Sequence, residues 1–121
     1  MAGGIIKTMT YSPKLWGNEI WVTNNDKYCG KIISVKKGFF CSYHYHKIKD
    51  EVLYLASGSL LFMCSQKPIE HTDPKPGAPC NYSEDLKFYD QVTLNKGQAW
   101  HVAPLYAHQF RALEDSEIIE F

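Results

Sequence analysis

Residues 38–58 read GFFCSYHYHKIKDEVLYLASG, and the fold turns on this stretch. Phe40, Ser42, His44 and His46 occupy alternate positions. Alternate residues of a β-strand share one face, so a strand over 39–46 directs both imidazoles toward one point. Lys47 to Asp50 read as a short polar turn, after which Glu51 opens a second apolar run, Val52 to Ala56. If that run is the antiparallel partner of 39–46, a hairpin returns Glu51 beside the two histidines. Two imidazoles and a carboxylate on adjacent strands suit a divalent transition metal. A fourth ligand is still needed, and His108 is the candidate.

Working outward, the rest of the chain repeats the same rhythm. Residues 1–13 read as a lead-in or edge strand, with Pro13 disfavouring a helix before it. Trp16-Gly17 turns the chain into an apolar run ending at Thr23, and Asn24-Asn25-Asp26 is a turn signal. Strands are expected at Tyr28 to Lys36, Leu60 to Cys64, Phe88 to Leu94, Gln98 to Val102, His108 to Leu113 and Glu117 to Phe121. Residues 65–87 break the pattern, holding four of the six prolines together with His71, and read as a long loop. His71 is expected to be merely exposed there. No amphipathic helix with caps is legible. Short strands with turn signals between them indicate an all-β sandwich or barrel. Phe40, Phe62 and Phe110 are expected in its core. Tyr43 and Tyr45 fit either core or a ligand-stacking wall.

The 121 residues make one domain's worth of chain, 45% hydrophobic, with 13 acidic and 13 basic side chains. That balance, without a basic run, argues against a nucleic-acid binder. No apolar segment approaches the ~20 residues that span a bilayer. The first residues lack the apolar core of a signal peptide, so the expected compartment is cytoplasmic. Cys29, Cys41, Cys64 and Cys80 are spread singly and are expected as free, packed thiols. Exposed edges of a small β domain make a homodimer the expected assembly, with the N-terminal strand as the element to pair or exchange.

The spaced set Gly38, His44, His46, Glu51 and Gly58 resembles the first signature of the cupin family at every fixed position. A looser second signature is similar at Gly97, Pro104 and His108, with Tyr106 where glycine is common and Ala112 where asparagine is usual. The resemblance implies a single-domain cupin jelly-roll β-barrel over 1–121, with the Pro-rich loop at about 65–87. It also implies one metal ion on His44, His46, Glu51 and His108. Nitrogen and oxygen donors without thiolate are compatible with Mn, Fe, Co, Ni or Zn.

Lys49, three positions after His46 and two before Glu51, and the Trp16-Gly17 element resemble the branch of type II mannose-6-phosphate isomerases and D-lyxose isomerases. That resemblance implies an isomerase or epimerase of a small sugar or sugar phosphate, acting through an enediolate. His101 and Glu19 are the candidate bases, and Lys49 is a candidate donor to a hydroxyl or phosphate oxygen. Tyr106 and Tyr54 are candidate substrate contacts. The same ligands also allow an Fe-dependent dioxygenase or a non-catalytic sugar-binding or regulatory module, and fold alone does not choose among them.

Overall fold

The computed structural model describes residues 3–41, 43–69 and 89–121. Ser42, and the Pro-rich segment beyond Ile69 with His71 in it, lie outside the described residues. Nine strands follow in order: β1 (Thr10–Lys14), β2 (Gly17–Asn24), β3 (Cys29–Val35), β4 (Glu51–Ser57), β5 (Ser59–Ser65), β6 (Tyr89–Asn95), β7 (Ala99–Val102), β8 (His108–Ala112) and β9 (Ser116–Glu120). All their pairings are antiparallel. One sheet runs β1-β2-β3-β9-β4-β7 and the other β6-β5-β8. Among the described residues no helix is long and apolar enough to cross a membrane.

The two sheets meet over one apolar core. Leu53 and Leu55 of β4, Ile33 and Val35 of β3, and Ile118 of β9 face Leu60 and Phe62 of β5 and Phe110 of β8. These positions alternate along each strand with more exposed ones, as a sheet with one dry face requires. Fully burying a side chain of this size contributes about 1.5–3 kcal/mol. Pro13 is tolerated because β1 is the edge of its sheet and has one partner only.

The stretch 39–46 departs from the expected hairpin. It makes two isolated bridges, Phe40 to Arg111 and His44 to His108, and so lies along β8 in the smaller sheet. His44 N donates to His108 O at 3.1 Å, and His108 N returns a bond to His44 O at 2.8 Å. Between the bridges Cys41 N donates to Phe110 O at 3.3 Å, and Gln109 Nε2 donates to Cys41 O at 2.6 Å. β4 instead pairs with β7 and β9, so residues 47–50 cross from one sheet to the other and close no hairpin.

Phe40 is also corrected. It is 53% exposed, with the Arg111 guanidinium 6.0 Å from its ring centre, because its side chain faces away from the barrel. Phe62 and Phe110 are buried, as expected. Tyr43 and Tyr45 alternate with the histidines and form a second small core with Ile69 and Ala107.

Candidate metal centre

Period-two alternation along 43–46 puts the tyrosines on one side and the imidazoles on the other. On β8, His108 shares the inward face with Phe110 and Ala112, and its pairing with Cys64 sets it at the end of the core. The three imidazoles of His44, His46 and His108 therefore converge, with their ligand atoms all within 4.8 Å of one another. The ring centroids of His44 and His108 are 4.5 Å apart. His108 Nδ1 lies 3.1 Å from Tyr106 O, a contact that holds the ring and directs Nε2 toward the cluster. Phe62 stacks under the same ring at 6.3 Å.

The facing sheet supplies carboxylates. Glu51 opens β4 on the inward face, and its Oε1 is 2.9 Å from His108 Nε2 and 3.9 Å from His46 Nε2. Glu120 of β9 stands opposite Leu53, on the same inward face. Lys49 bridges the two acids, with Nζ 2.9 Å from Glu120 Oε2 and 3.3 Å from Glu51 Oε2. Lys31 of β3 adds a contact to Glu120 at 3.7 Å. Imidazoles from one sheet and acids from the other thus meet at one end of the barrel. A cavity of about 160 Å³ opens there, lined by His44 and His46 with Trp16, Glu19, Lys31, Cys41, Lys49 and Glu120. Three convergent imidazole nitrogens beside a buried carboxylate fit a divalent transition ion.

No protein-family model matches the chain, and no curated protein sequence matches it. Solved structures do. KdgF from Halomonas sp. superimposes with a TM-score of 0.63 at 16% identity, over 85% of this chain and 74% of that one. The cupin domain of Drosophila melanogaster CENP-C gives 0.67 at 8% identity, over 93% and 74%. The fold is a cupin jelly roll. CapF from Staphylococcus aureus, a capsular polysaccharide assembling protein, gives 0.66 at 13% identity over 95% of this chain, which spans only 28% of CapF. At these identities the likeness is one of cupin architecture, and the chemistry has to be argued from this chain's own residues.

The cupin barrel brings together some of the residues singled out from sequence and separates others. His44, His46 and His108 cluster, Glu51 lies beside His108 and His46, Lys49 stands against Glu51, and Glu19 is on the cavity wall. Glu19 Oε1 accepts from Trp21 Nε1 at 3.0 Å. His101 lies on the outer face of β7, between the inward positions of Trp100 and Val102, and pairs with Asp50 at 2.6 Å. Tyr54 alternates with Leu53 and Leu55, so it too faces outward. Tyr106 approaches the centre through its carbonyl, while its side chain lines a separate cavity with His101 and Trp100. Tyr106 also packs against the main core. Glu120 was not singled out from sequence. Its signal was an acid two positions after Ile118, on an otherwise apolar face.

Packing charges this closely perturbs them. Burial acts to raise the Glu51 carboxyl, but the hydrogen bond and charge of His108, with Glu120 and Lys49, outweigh it and hold Glu51 well below the usual carboxylate range. Burial and the charge of Glu51 push Glu120 up. Burial alone would lower Lys49, yet Glu120 and Glu51 raise it. Burial pushes the Cys41 thiol up to about 12 and Cys64 to about 11, so both stay protonated.

Burial also pushes the His46 imidazole down to about 4; Glu51 opposes this, while His44, His108 and Lys49 add to it. The folded pKa lies below the unfolded value of roughly 6.5. Stability is therefore full above about pH 6.5 and is lost as pH falls from there toward 4, where only the unfolded chain takes up the proton. His46 is 30% exposed at its side chain, which trims the effect. For metal-free protein we expect ~2 kcal/mol lost between pH 7 and 4 beyond the loss shown by His46→Gln. Urea unfolding across that range checks it, and parallel curves for the two proteins would refute it.

Proposed function

We propose that the chain is a metal-dependent isomerase or epimerase of a small sugar or sugar phosphate. The supporting observation is the content of one small cavity, where two of the converging imidazoles share the lining with two lysines and two glutamates. A divalent ion held by His44, His46 and His108, with Glu51 beside them, would polarise a carbonyl. The chain's own groups supply the rest. Lys49 donates to a substrate oxygen, replacing part of its contact with Glu120. Glu120 takes the proton from the carbon next to the carbonyl, the C–H electron pair forms the carbon–carbon double bond, and the C=O π pair moves onto the carbonyl oxygen. The same carboxyl then delivers the proton to the neighbouring carbon, while a second proton passes between the two oxygens. Glu19, on the opposite wall, is placed to orient a hydroxyl. The capsular-polysaccharide role named for CapF agrees with sugar chemistry on this fold.

We read residues 1–121 as one cupin domain. The exposed edge of β1, with Tyr11 and Leu15 turned outward, suits pairing with a second copy of the chain.

The test is proton exchange in D₂O. Metal-loaded protein is incubated with a panel of aldoses, ketoses and their phosphates, and deuterium at the carbon next to the carbonyl is followed by NMR. Exchange is expected, and Glu120→Gln should slow it by ~10²–10⁴-fold with metal content unchanged. No exchange with any sugar would sink the isomerase. Oxygen uptake by iron-loaded protein would replace it with an oxygenase, and saturable binding with unchanged ligand would replace it with a binding module.

A further inference from the structure

The metal-side cavity is only part of the opening. Lys49 also lines a larger cleft of about 560 Å³, so the two spaces share a wall. This cleft runs between the β2–β3 turn and the crossing at 47–50. Tyr28 on one side is 64% exposed, and Ile48 on the other is 89% exposed. Large apolar surfaces left open beside a polar cavity ask for a ligand.

The charges of the cleft say which kind. Lys27 and Lys49 face Asp26 and Asp50 in the same lining. Lys49 is already neutralised by Glu120 and Glu51, and Asp50 is engaged by His101. Neither a phosphate nor a cation finds surplus charge there. What fits is a neutral molecule with apolar faces and hydrogen-bonding edges, and a sugar ring has both: C–H faces to lie on Tyr28 and hydroxyls to meet Asp26 and Lys27. The walls are held in advance. Asn25 Oδ1 accepts from Lys27 N at 2.8 Å and from Tyr28 N at 3.1 Å, fixing the turn. On the crossing, Asp50 meets His101 at 2.6 Å at the surface. Ligand binding then orders little that is mobile.

We infer that this cleft is a subsite for a neutral glycosyl unit, so that the substrate is a saccharide of two or more rings. Its reducing end enters the metal-side cavity and its next ring rests on Tyr28 and Ile48. This rests on the sugar-isomerase reading above and narrows its substrate class from a single sugar or sugar phosphate to a neutral oligosaccharide.

Calorimetry on metal-loaded protein tests it, with neutral reducing disaccharides (maltose, cellobiose, lactose), their monosaccharides, and glucose 6-phosphate. At least one disaccharide should bind about tenfold tighter than its reducing-end monosaccharide, the contribution of one well-packed aromatic face. Tyr28→Ala and Ile48→Ser, both at exposed positions, should remove that gain and leave the monosaccharide affinity unchanged. Monosaccharide binding with no gain from the second ring, a gain untouched by both variants, or preference for the phosphate would overturn the subsite while leaving the isomerase reading standing. No saccharide binding at all would overturn both.

Discussion

Replacing His108 with alanine is expected to abolish metal binding. Wild-type protein should hold about one divalent ion per chain after exposure to Mn, Fe, Co, Ni or Zn, and the variant none. His108 is 3% exposed, packed on Phe62 and held through Nδ1 by Tyr106 O, so it is the ligand whose direction is fixed best. Losing it leaves two half-buried imidazoles and Glu51, which without His108 turns to Lys49 at 3.3 Å, so the remaining donors no longer converge on one point. The effect on the fold is separable. Glu51 is 2% exposed and 2.9 Å from His108, so the variant strands a buried carboxylate. Stranding such a charge costs about 3–5 kcal/mol in a well-isolated pair. Lys49 at 3.3 Å reduces that here. His44→Ala removes one imidazole without touching the contact of His108 to Glu51, so it should weaken metal binding and keep more of the stability. At metal concentrations 100-fold above Kd, wild type should gain ~2.7 kcal/mol, or roughly 10 °C in Tm, His44→Ala should gain less, and His108→Ala nothing. Elemental analysis and thermal melts with and without EDTA decide it. A wild type that takes up no ion would remove the metal centre, and a His108→Ala protein that keeps a full ion would remove His108 from it.

Most of the barrel was legible because a half-buried sheet writes its geometry into every second residue. The apolar alternation placed β3, β4, β5, β7, β8 and β9 to within a residue or two of their observed ends. It also carried the site, since His44 and His46 are two apart and His108 shares parity with Phe110. Parity could have gone further. Glu51, Leu53 and Leu55 point inward, so Tyr54 had to point out; Trp100 and Val102 do the same for His101. By that argument Glu120, in step with Ile118, belonged inside. What parity could not give was the partner of each strand. The turn at 47–50 looked like a hairpin, yet it crosses between sheets, because β9 and β7 take both edges of β4. Such long-range pairing leaves no local mark in the chain. Pro104 marked the bend at 104–107, but not its course: Leu105 sits at φ 73° and turns Tyr106 so that its carbonyl faces His108.

Gly17→Ala should be far more destabilising than Gly38→Ala, although its neighbour Trp16 is the residue that touches the cavity. Gly17 has φ +149°, and a Cβ there would stand 1.9 Å from Ser34 O and 2.8 Å from Ser34 C. Both atoms are β3 backbone, paired to β2 in register, so no side chain can swing aside. Relief requires the start of β2 to lift off β3. Overpacking costs about 1–3 kcal/mol and the left-handed backbone about 1–2 more, so ~4 kcal/mol is expected. Gly38 is the control. Its φ is +84°, but nothing lies within 4 Å of an added Cβ, so Gly38→Ala should cost only the backbone part, about 1–2 kcal/mol. Urea unfolding of the two variants reads the difference directly, and equal midpoints would show that the close approach at Ser34 does not govern. The consequence reaches the site as well. Lys36 N donates to Trp16 O at 2.9 Å, which pins the indole against the core and along the cavity wall. Lifting Gly17 frees that wall, so the variant should also weaken any sugar binding the wild type shows while leaving its metal uptake unchanged, because the imidazoles belong to the other sheet.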